Sequence, residues 1–212
     1  TAIIDRWVVG TTVRWIEAHA HQLLTTRFVG VNLSGGSLND EAFTQELFAL
    51  FEQHPVALEK LCIEITETVA ITDMRKMQHF IDRVRAMGGK VALDDFGAGY
   101  SNFRYAIDLH ADVIKIDGSI IKNICHSTES HAVTAAIVGL AHDLGCKCVA
   151  EWVEDLHTLR EVKELGVDYI QGYLISPAVS CRSFLNLNSP FDLSQDDNRT
   201  RLIQEIVESA TC

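Results

Sequence analysis

The chain has 212 residues, of which 47% are hydrophobic and 22% charged, and these values fit one globular α/β domain with a sizeable core. Its formal net charge of −11 argues against binding to duplex nucleic acid or to a membrane surface, because both need a basic footprint. No run reaches the roughly 18 consecutive apolar residues of a membrane span. We therefore expect no direct membrane contact.

The six cysteines form no CxxC pair, and three of them, Cys62, Cys146 and Cys148, lie in apolar strand-like runs. Such thiols are usually small buried hydrophobes, and the pattern suits a reducing compartment better than a disulfide framework. We expect a cytoplasmic domain, alone or as the cytoplasmic part of a larger membrane-anchored protein. The nine histidines lack the spacing of a zinc site.

In chain order, the sequence opens with a predicted helix from Ala2 to Leu24, and short runs rich in Val and Ile then alternate with segments of helical period. Seven runs predict strands: Phe28–Leu33, Lys60–Ile65, Lys90–Leu93, Asp112–Ile116, Lys147–Ala150, Val167–Ile170 and Tyr173–Ile175. Asn39 or Asp40, and Asp73, stand where helix N-caps are expected. Three glycines follow predicted helix ends: Gly88, Gly145 and Gly166.

This strand–helix alternation predicts an α/β fold with mostly parallel strands, a TIM-like (β/α) barrel, with an open doubly wound sheet as the second choice. A complete barrel takes roughly 250 residues, so we expect this one to be incomplete by about one N-terminal unit. The predicted barrel domain covers residues 1–185. Residues 186–212 predict a polar linker and a short C-terminal helix.

Polar side chains stand at or just after the carboxyl ends of six predicted strands. They are Asn32, Glu64, Glu67, Asp94, Asp95, Lys115, Asp117, Glu151, Glu154 and Gln171. In a βα barrel these strand ends meet on the face where active sites are built. One polar strand end is ordinary, whereas six in a row indicate a site.

The chemistry of this set favours a hard cation. Oxygen donors without a His or Cys cluster select Mg²⁺, Mn²⁺ or Ca²⁺. The adjacent pair Asp94–Asp95 can serve two ions, which together clamp the oxygens of a phosphoryl transfer. Lys115 beside them would stabilise a hydroxide or phosphate oxygen. The combination predicts metal-assisted hydrolysis of a phosphodiester.

Six segments resemble, in order and spacing, the signature motifs of EAL-domain cyclic di-GMP phosphodiesterases. They are VNLS (Val31–Ser34), EITE (Glu64–Glu67), DDFGAGYSN (Asp94–Asn102), KID (Lys115–Asp117), AEWVE (Ala150–Glu154) and QGYLIS (Gln171–Ser176). The resemblance covers about residues 1–185. It implies hydrolysis of cyclic di-GMP to linear pGpG with two Mg²⁺ or Mn²⁺ ions, in bacterial second-messenger signalling.

The resemblance also implies a metal-ligand set. Asn32, Glu64 and Asp94 resemble the ligands of the first ion. Asp94 would bridge to the second ion, which Asp95 also helps to hold.

Further roles are implied around these ligands. Lys115 resembles the residue that contacts the attacking water, and Glu151 the glutamate that acts either as general base or as metal-site ligand. Glu67 would steady the loop after Asp95, although on its own it could equally cap the helix that follows. The remaining residues would support the site or contact substrate: Asp117, Glu154 and Gln171.

Two departures from the family pattern stand out. The Glu-Ala-Leu tripeptide that names the family is absent from the sequence, and its glutamate is itself a metal ligand. We expect it on a strand before Thr1, and we expect the chain as it stands to be weakly active or inactive. In addition, Trp152 replaces a glycine that is common in the AEGVE-type motif, either as a tolerated variant or as a side chain that stacks on a base.

The implied partners are cyclic di-GMP, sensory or GGDEF domains upstream, and a second copy of the chain. Dimers are expected through the loop after Asp95 and the helix near Asn102–Leu109. The alternative to an enzyme is a catalytically inactive receptor or scaffold that binds cyclic di-GMP. A protein kinase, indicated only by the DFG tripeptide Asp95–Gly97, is disfavoured because no glycine-rich phosphate loop or HRD segment accompanies it.

Overall fold

The computed structural model describes residues 2–98, 104–187 and 197–208. Six strands lie in these residues: β1 (Val29–Asn32), β2 (Leu61–Thr66), β3 (Lys90–Phe96), β4 (Val113–Ile116), β5 (Lys147–Ala150) and β6 (Tyr169–Ile170). The helices of the first half are α1 (Ala2–Ala18), α2 (Gly35–Asn39), α3 (Glu41–Gln53), α4 (Pro55–Leu58), α5 (Glu67–Thr72), α6 (Met74–Ala86) and α7 (Arg104–Leu109). Those of the second half are α8 (Gly118–Ile121), α9 (Thr128–Asp143), α10 (Leu156–Glu164), α11 (Cys181–Leu185) and α12 (Asp197–Glu208).

The chain divides into two compact units. Unit 1 comprises Thr1–Phe96 and Asn102–Ile114, and unit 2 comprises Gly97–Ser101 and Lys115–Cys212. Each unit has its own apolar core. In unit 1 the largest fully buried side chains include Phe43, Phe51 and Ile63, and unit 2 buries Ile137 and Val153 completely.

The six strands follow one another in the sheet in the order of the chain. β1 pairs with β2, β2 with β3 and β5 with β6, in each case in parallel. Helices connect the strands, as parallel pairing requires. The α/β class and the parallel strands predicted from the alternating sequence pattern are confirmed.

Most predicted elements lie where the sequence placed them, with two corrections. The run Tyr173–Ile175 is not a strand, because it forms a turn in which the Ile175 amide donates to Gly172 O, while the Leu174 amide donates to the distant Val153 O. The first helix ends at Ala18 and not at Leu24, because residues 19–22 form turns in which the amide of Gln22 donates to His19 O.

The predicted helix signals are confirmed at both kinds of helix end. The Asp40 carboxylate accepts hydrogen bonds from the Ala42 and Phe43 amides at the start of α3, and Asp73 accepts one from Lys76 at the start of α6. The three glycines that follow helix ends adopt positive φ angles, as helix-terminating residues do: Gly88, Gly145 and Gly166.

A membrane-crossing helix is not found in the described part of the chain, where every helix is too short or too polar to span a bilayer.

Candidate functional site

In unit 1, strand register places three of the predicted ligands on one face of the sheet. Asn32 at the end of β1 lies directly opposite Glu64 on β2, and Glu64 lies opposite Ala92 on β3. Asp94 is two residues beyond Ala92, and side chains two residues apart along a strand point to the same face. Because neighbouring strands lie roughly 4.8 Å apart, an amide and two carboxylates from three adjacent strands share one small area.

The backbone of Asp95 brings a further carboxylate to this area. Regular alternation would send the side chains of Asp94 and Asp95 to opposite faces. Asp95 instead has a φ of 55°, which breaks the alternation, and its carboxylate approaches that of Asp94 to within 4.8 Å. Such left-handed residues are uncommon outside glycine and cluster at functional sites. Asp94 is buried and Asp95 is exposed, so one carboxylate of the pair lies inside the protein and the other is reached by solvent.

Gly30 on β1 makes room for the Glu64 side chain. A Cβ atom at Gly30 would lie only 2.0 Å from Glu64 Oε1, so the carboxylate rests directly against the Gly30 backbone. Any larger residue at position 30 must displace it. Gly30 was not predicted from the sequence as part of the site. The only signal for it was its position in a short strand, on the sheet face that also carries Glu64.

A second overlooked residue is Asp5 on α1, which fixes the segment after Asn32. Its Oδ2 accepts hydrogen bonds from Ser34 N (3.0 Å), Ser34 Oγ (2.7 Å) and Ser37 Oγ (2.6 Å). Burial opposes ionisation of Asp5, but the hydrogen bonds from Ser37 and Ser34 outweigh it, and the pKa of Asp5 is lowered. The carboxylate therefore holds the VNLS segment at the end of β1.

Glu67 directly follows β2 as the first residue of α5 and is buried. The N-cap of that helix is Thr66, so the alternative in which Glu67 itself caps the helix is wrong. A carboxylate in the first turn still interacts favourably with the helix dipole.

In unit 2, Lys115 on β4 and Glu151 after β5 form a buried ion pair. Lys115 Nζ lies 2.7 Å from Glu151 Oε1, and the two side chains are only 7% and 10% exposed. The main chain supports the pair, because the Glu151 amide donates to Ile116 O at 3.4 Å. A charged lysine in such surroundings needs a carboxylate partner, and Glu151 supplies it.

The other predicted residues of unit 2 occupy two different settings. Asp117 is the N-cap of α8, where its Oδ1 accepts from the Ser119 amide at 2.8 Å and from the Ser119 hydroxyl. Glu154 and Gln171 are exposed and line a cavity of about 540 Å³. Asp117 therefore has a structural role as a helix cap, whereas Glu154 and Gln171 are placed to contact a ligand.

Part of the predicted dimer segment falls on residues 99–103, which lie outside the described residues. The helix expected near Asn102–Leu109 is present from Arg104 to Leu109 as α7.

Parallel strands in chain order, connected by helices and ending in acidic side chains, define an α/β domain of the TIM-like barrel class. Residues 1–178 match the EAL domain, and the chain belongs to the EAL-domain family.

Several curated relatives of the chain are named cyclic di-GMP phosphodiesterases. The chain is 34% identical over 172 residues to the cyclic di-GMP phosphodiesterase PdeF of Escherichia coli K12, a match that covers 81% of this chain and 23% of that protein. It is 31% identical over 172 residues to the cyclic di-GMP phosphodiesterase PdeB of Shewanella oneidensis, covering 81% and 20%. The chain thus spans about a quarter or less of the length of these relatives.

Comparison with solved structures confirms the fold. The cyclic di-GMP complex of the PaMucR phosphodiesterase matches with a TM-score of 0.79 and 28% identity, over 85% of this chain and 73% of that one. Klebsiella pneumoniae BlrP1, solved with cyclic di-GMP and either calcium or manganese, matches with a TM-score of 0.70 and 29% identity, over 82% of this chain and 44% of that one.

Proposed function

We propose that this chain supplies catalytic residues of a phosphodiesterase that hydrolyses cyclic di-GMP to linear pGpG with the help of divalent metal ions. The observation that carries the proposal is the common face shared by Asn32, Glu64 and Asp94 on three adjacent strands. Curated relatives named cyclic di-GMP phosphodiesterases, and solved EAL relatives in complex with that nucleotide, support the choice of substrate.

The donor chemistry of unit 1 fits hard cations. One amide and several carboxylates are ligands that Mg²⁺ and Mn²⁺ accept readily. We propose that Asn32, Glu64 and Asp94 hold one ion and that Asp94 and Asp95 hold a second. When bound, the ions would acidify the attacking water and neutralise charge on the phosphodiester. The calcium and manganese complexes of BlrP1 support a divalent metal in the family.

The buried pair of unit 2 supplies charge to the same reaction. Lys115 Nζ lies 2.7 Å from Glu151 Oε1 in a setting that water reaches poorly, so Lys115 can orient an attacking water or a phosphate oxygen by its charge. Glu151 accepts a proton or serves as a metal-site ligand, and both roles use its ionised form. Glu67 steadies the segment after Asp95, Asp117 supports the site, and Glu154 and Gln171 contact the substrate.

The test is hydrolysis of cyclic di-GMP with Mg²⁺ or Mn²⁺, followed by separation of the nucleotides. It should use this chain and also a longer protein that contains it, since the match covers only 23% and 20% of the length of two curated relatives. Asp94→Asn and Lys115→Ala should each lower the rate by at least about 100-fold, because the first weakens the proposed metal site and the second removes a positive charge that stabilises the reacting oxygens. Asp143→Asn is the control, since Asp143 is an exposed acid at the end of α9.

Activity that is unchanged in both Asp94→Asn and Lys115→Ala would remove the proposed roles. Tight calorimetric binding of cyclic di-GMP without turnover in the longer protein would instead favour the receptor or scaffold. Dimer formation and upstream sensory or GGDEF domains stay predictions, and sedimentation of the longer protein would check the dimer.

A further inference from the structure

Trp152, which directly follows Glu151, has an unusual backbone. Its φ is 54°, in the left-handed region that bulky side chains rarely adopt. Glycine reaches this region without strain, so glycine would be the cheaper residue here. A bulky residue retained at a strained position is a reason to look for a function of its side chain.

The indole of Trp152 is held in place but is not buried. A Cβ atom on Gly118 would lie 2.3–2.7 Å from three indole atoms, so the ring rests against the Gly118 backbone at the start of α8. Lys122 Nζ is 5.9 Å from the indole centroid, within reach of a cation–π contact. The side chain is nevertheless 55% exposed. This arrangement positions an aromatic surface toward solvent and does not fill a core.

That aromatic surface belongs to the cavity of about 540 Å³ within unit 2. The cavity is also lined by Tyr173, which is 67% exposed, and by Glu154 and Gln171. Its size falls within the range of small-molecule sites. Two exposed rings offer stacking surfaces, a carboxylate accepts hydrogen bonds, and an amide both donates and accepts them. Nucleobases outside a duplex are recognised by this combination of stacking and edge hydrogen bonds.

We propose that Trp152 is a substrate-affinity residue whose indole stacks on a guanine base of cyclic di-GMP. The inference rests on the proposed function, and it goes further by assigning a base-stacking surface to a position where the family pattern has glycine. Gly118 is then a positioning residue, because its missing side chain lets the indole lie against the backbone of α8.

The first test is calorimetric titration with cyclic di-GMP in the presence of Ca²⁺, an ion present with this nucleotide in a BlrP1 complex. Trp152→Gly should raise the Kd about 5- to 150-fold, the range expected for loss of one base–aromatic stack. Trp152→Phe keeps a ring and should change the Kd less. Trp7→Ala is the matched control, since Trp7 is another exposed tryptophan, on α1.

Two further readouts separate stacking from a structural role. Trp152→Gly relieves the strained φ, so its melting temperature should equal or exceed that of the unaltered chain while its affinity falls. Gly118→Ala keeps Trp152 but displaces the indole, so its Kd should also rise. The sequence has three tryptophans, and the double variant Trp7→Phe, Trp15→Phe keeps only Trp152. The fluorescence of this variant should be quenched saturably by the nucleotide.

The outcomes distinguish this inference from the proposal beneath it. If the unaltered chain binds and Trp152→Gly binds within 2-fold of it, the stacking role is wrong and the proposed function stands. Calorimetric binding without quenching of Trp152 has the same meaning. If neither the unaltered chain nor a longer protein containing it binds cyclic di-GMP, both proposals fall together.

Discussion

Lys115 Nζ and Glu151 Oε1 lie 2.7 Å apart with both side chains nearly buried, so each charge stabilises the other. Removing one partner breaks a buried ion pair, which typically costs about 3–5 kcal/mol. We expect Lys115→Ala to lower the free energy of unfolding by about that amount, measured by urea denaturation, and to abolish hydrolysis. The double variant Lys115→Met, Glu151→Leu should recover most of the stability and none of the activity.

The matched control is the pair Arg6–Glu46, which has the same 2.7 Å separation but is 50% and 56% exposed. Arg6→Ala should change the unfolding free energy by less than about 1 kcal/mol, because exposed ion pairs contribute little. Equal losses in Arg6→Ala and Lys115→Ala would show that burial does not set the strength of the Lys115–Glu151 pair.

Gly30 controls the position of the Glu64 carboxylate. Gly30→Ala inserts a methyl group where Glu64 Oε1 now rests, so the carboxylate must move away. We expect the Mn²⁺ affinity, measured by calorimetry, to fall about 10- to 100-fold, as it does when other supports of metal ligands are altered.

Gly139→Ala is the control for that experiment. Gly139 lies in α9 with nothing within 4 Å of the added Cβ atom, so alanine should stabilise the helix by about 0.5–1 kcal/mol and leave Mn²⁺ binding unaltered. If Gly30→Ala binds Mn²⁺ as tightly as Gly139→Ala, Glu64 is not a ligand in its present position.

Asp168 gives the stability of unit 2 a dependence on pH. Burial opposes its ionisation, but hydrogen bonds from Lys147, the Cys148 amide and His142 outweigh it and lower the pKa of Asp168. This stabilisation is fully present above the unfolded pKa of about 3.9 and is lost as the pH falls through the lower folded value. Asp168→Asn should therefore cost about 1–3 kcal/mol at neutral pH and progressively less below about pH 4.

Urea denaturation of the unaltered chain and of Asp168→Asn at several pH values measures this difference. A stability gap that stays constant down to about pH 2 would contradict an ionised Asp168 as its source.

The cysteines should differ widely in reactivity. Burial, followed by the charges of Asp168 and Cys146, raises the pKa of Cys148 to about 12, whereas Cys181 is exposed. Because the thiolate is the reacting form, iodoacetamide near pH 8.5 should modify Cys181 well before Cys148. The other buried thiols, Cys62 and Cys146, should also react only after unfolding in urea. Peptide mass spectrometry checks the order, and labelling of Cys148 as fast as Cys181 would contradict it.

The strands were predictable because Val- and Ile-rich runs of four or more residues are long enough to identify a buried strand. The strand predicted over Tyr173–Ile175 was wrong because three apolar residues show too little periodicity to predict a strand. Contacts with Val153 decide their conformation instead. The predicted end of α1 was wrong for a related reason, since the helical sequence pattern continues past Ala18 while the chain turns at His19–Gln22.

The candidate ligands were predictable to the extent that they stand at strand ends. The residues that hold those ligands were not. Asp5 and Ser34 are 29 positions apart, and the spacing of Gly30 and Glu64 says nothing of the contact between them. The left-handed backbone of Asp95 could not be predicted from the sequence either, because an aspartate adopts regular strand geometry far more often.

The register of β2 and β3 has a consequence for how the chain can change over evolution. Apolar positions such as Ile63 or Leu93 tolerate exchange for other hydrophobic residues of similar volume. An insertion or deletion of one residue inside either strand is different, because it would turn Glu64 or Asp94 to the opposite side of the sheet. We therefore expect the length of these two strands to be more constrained than their residue identity, and length variation among homologous sequences to be confined to the connecting loops.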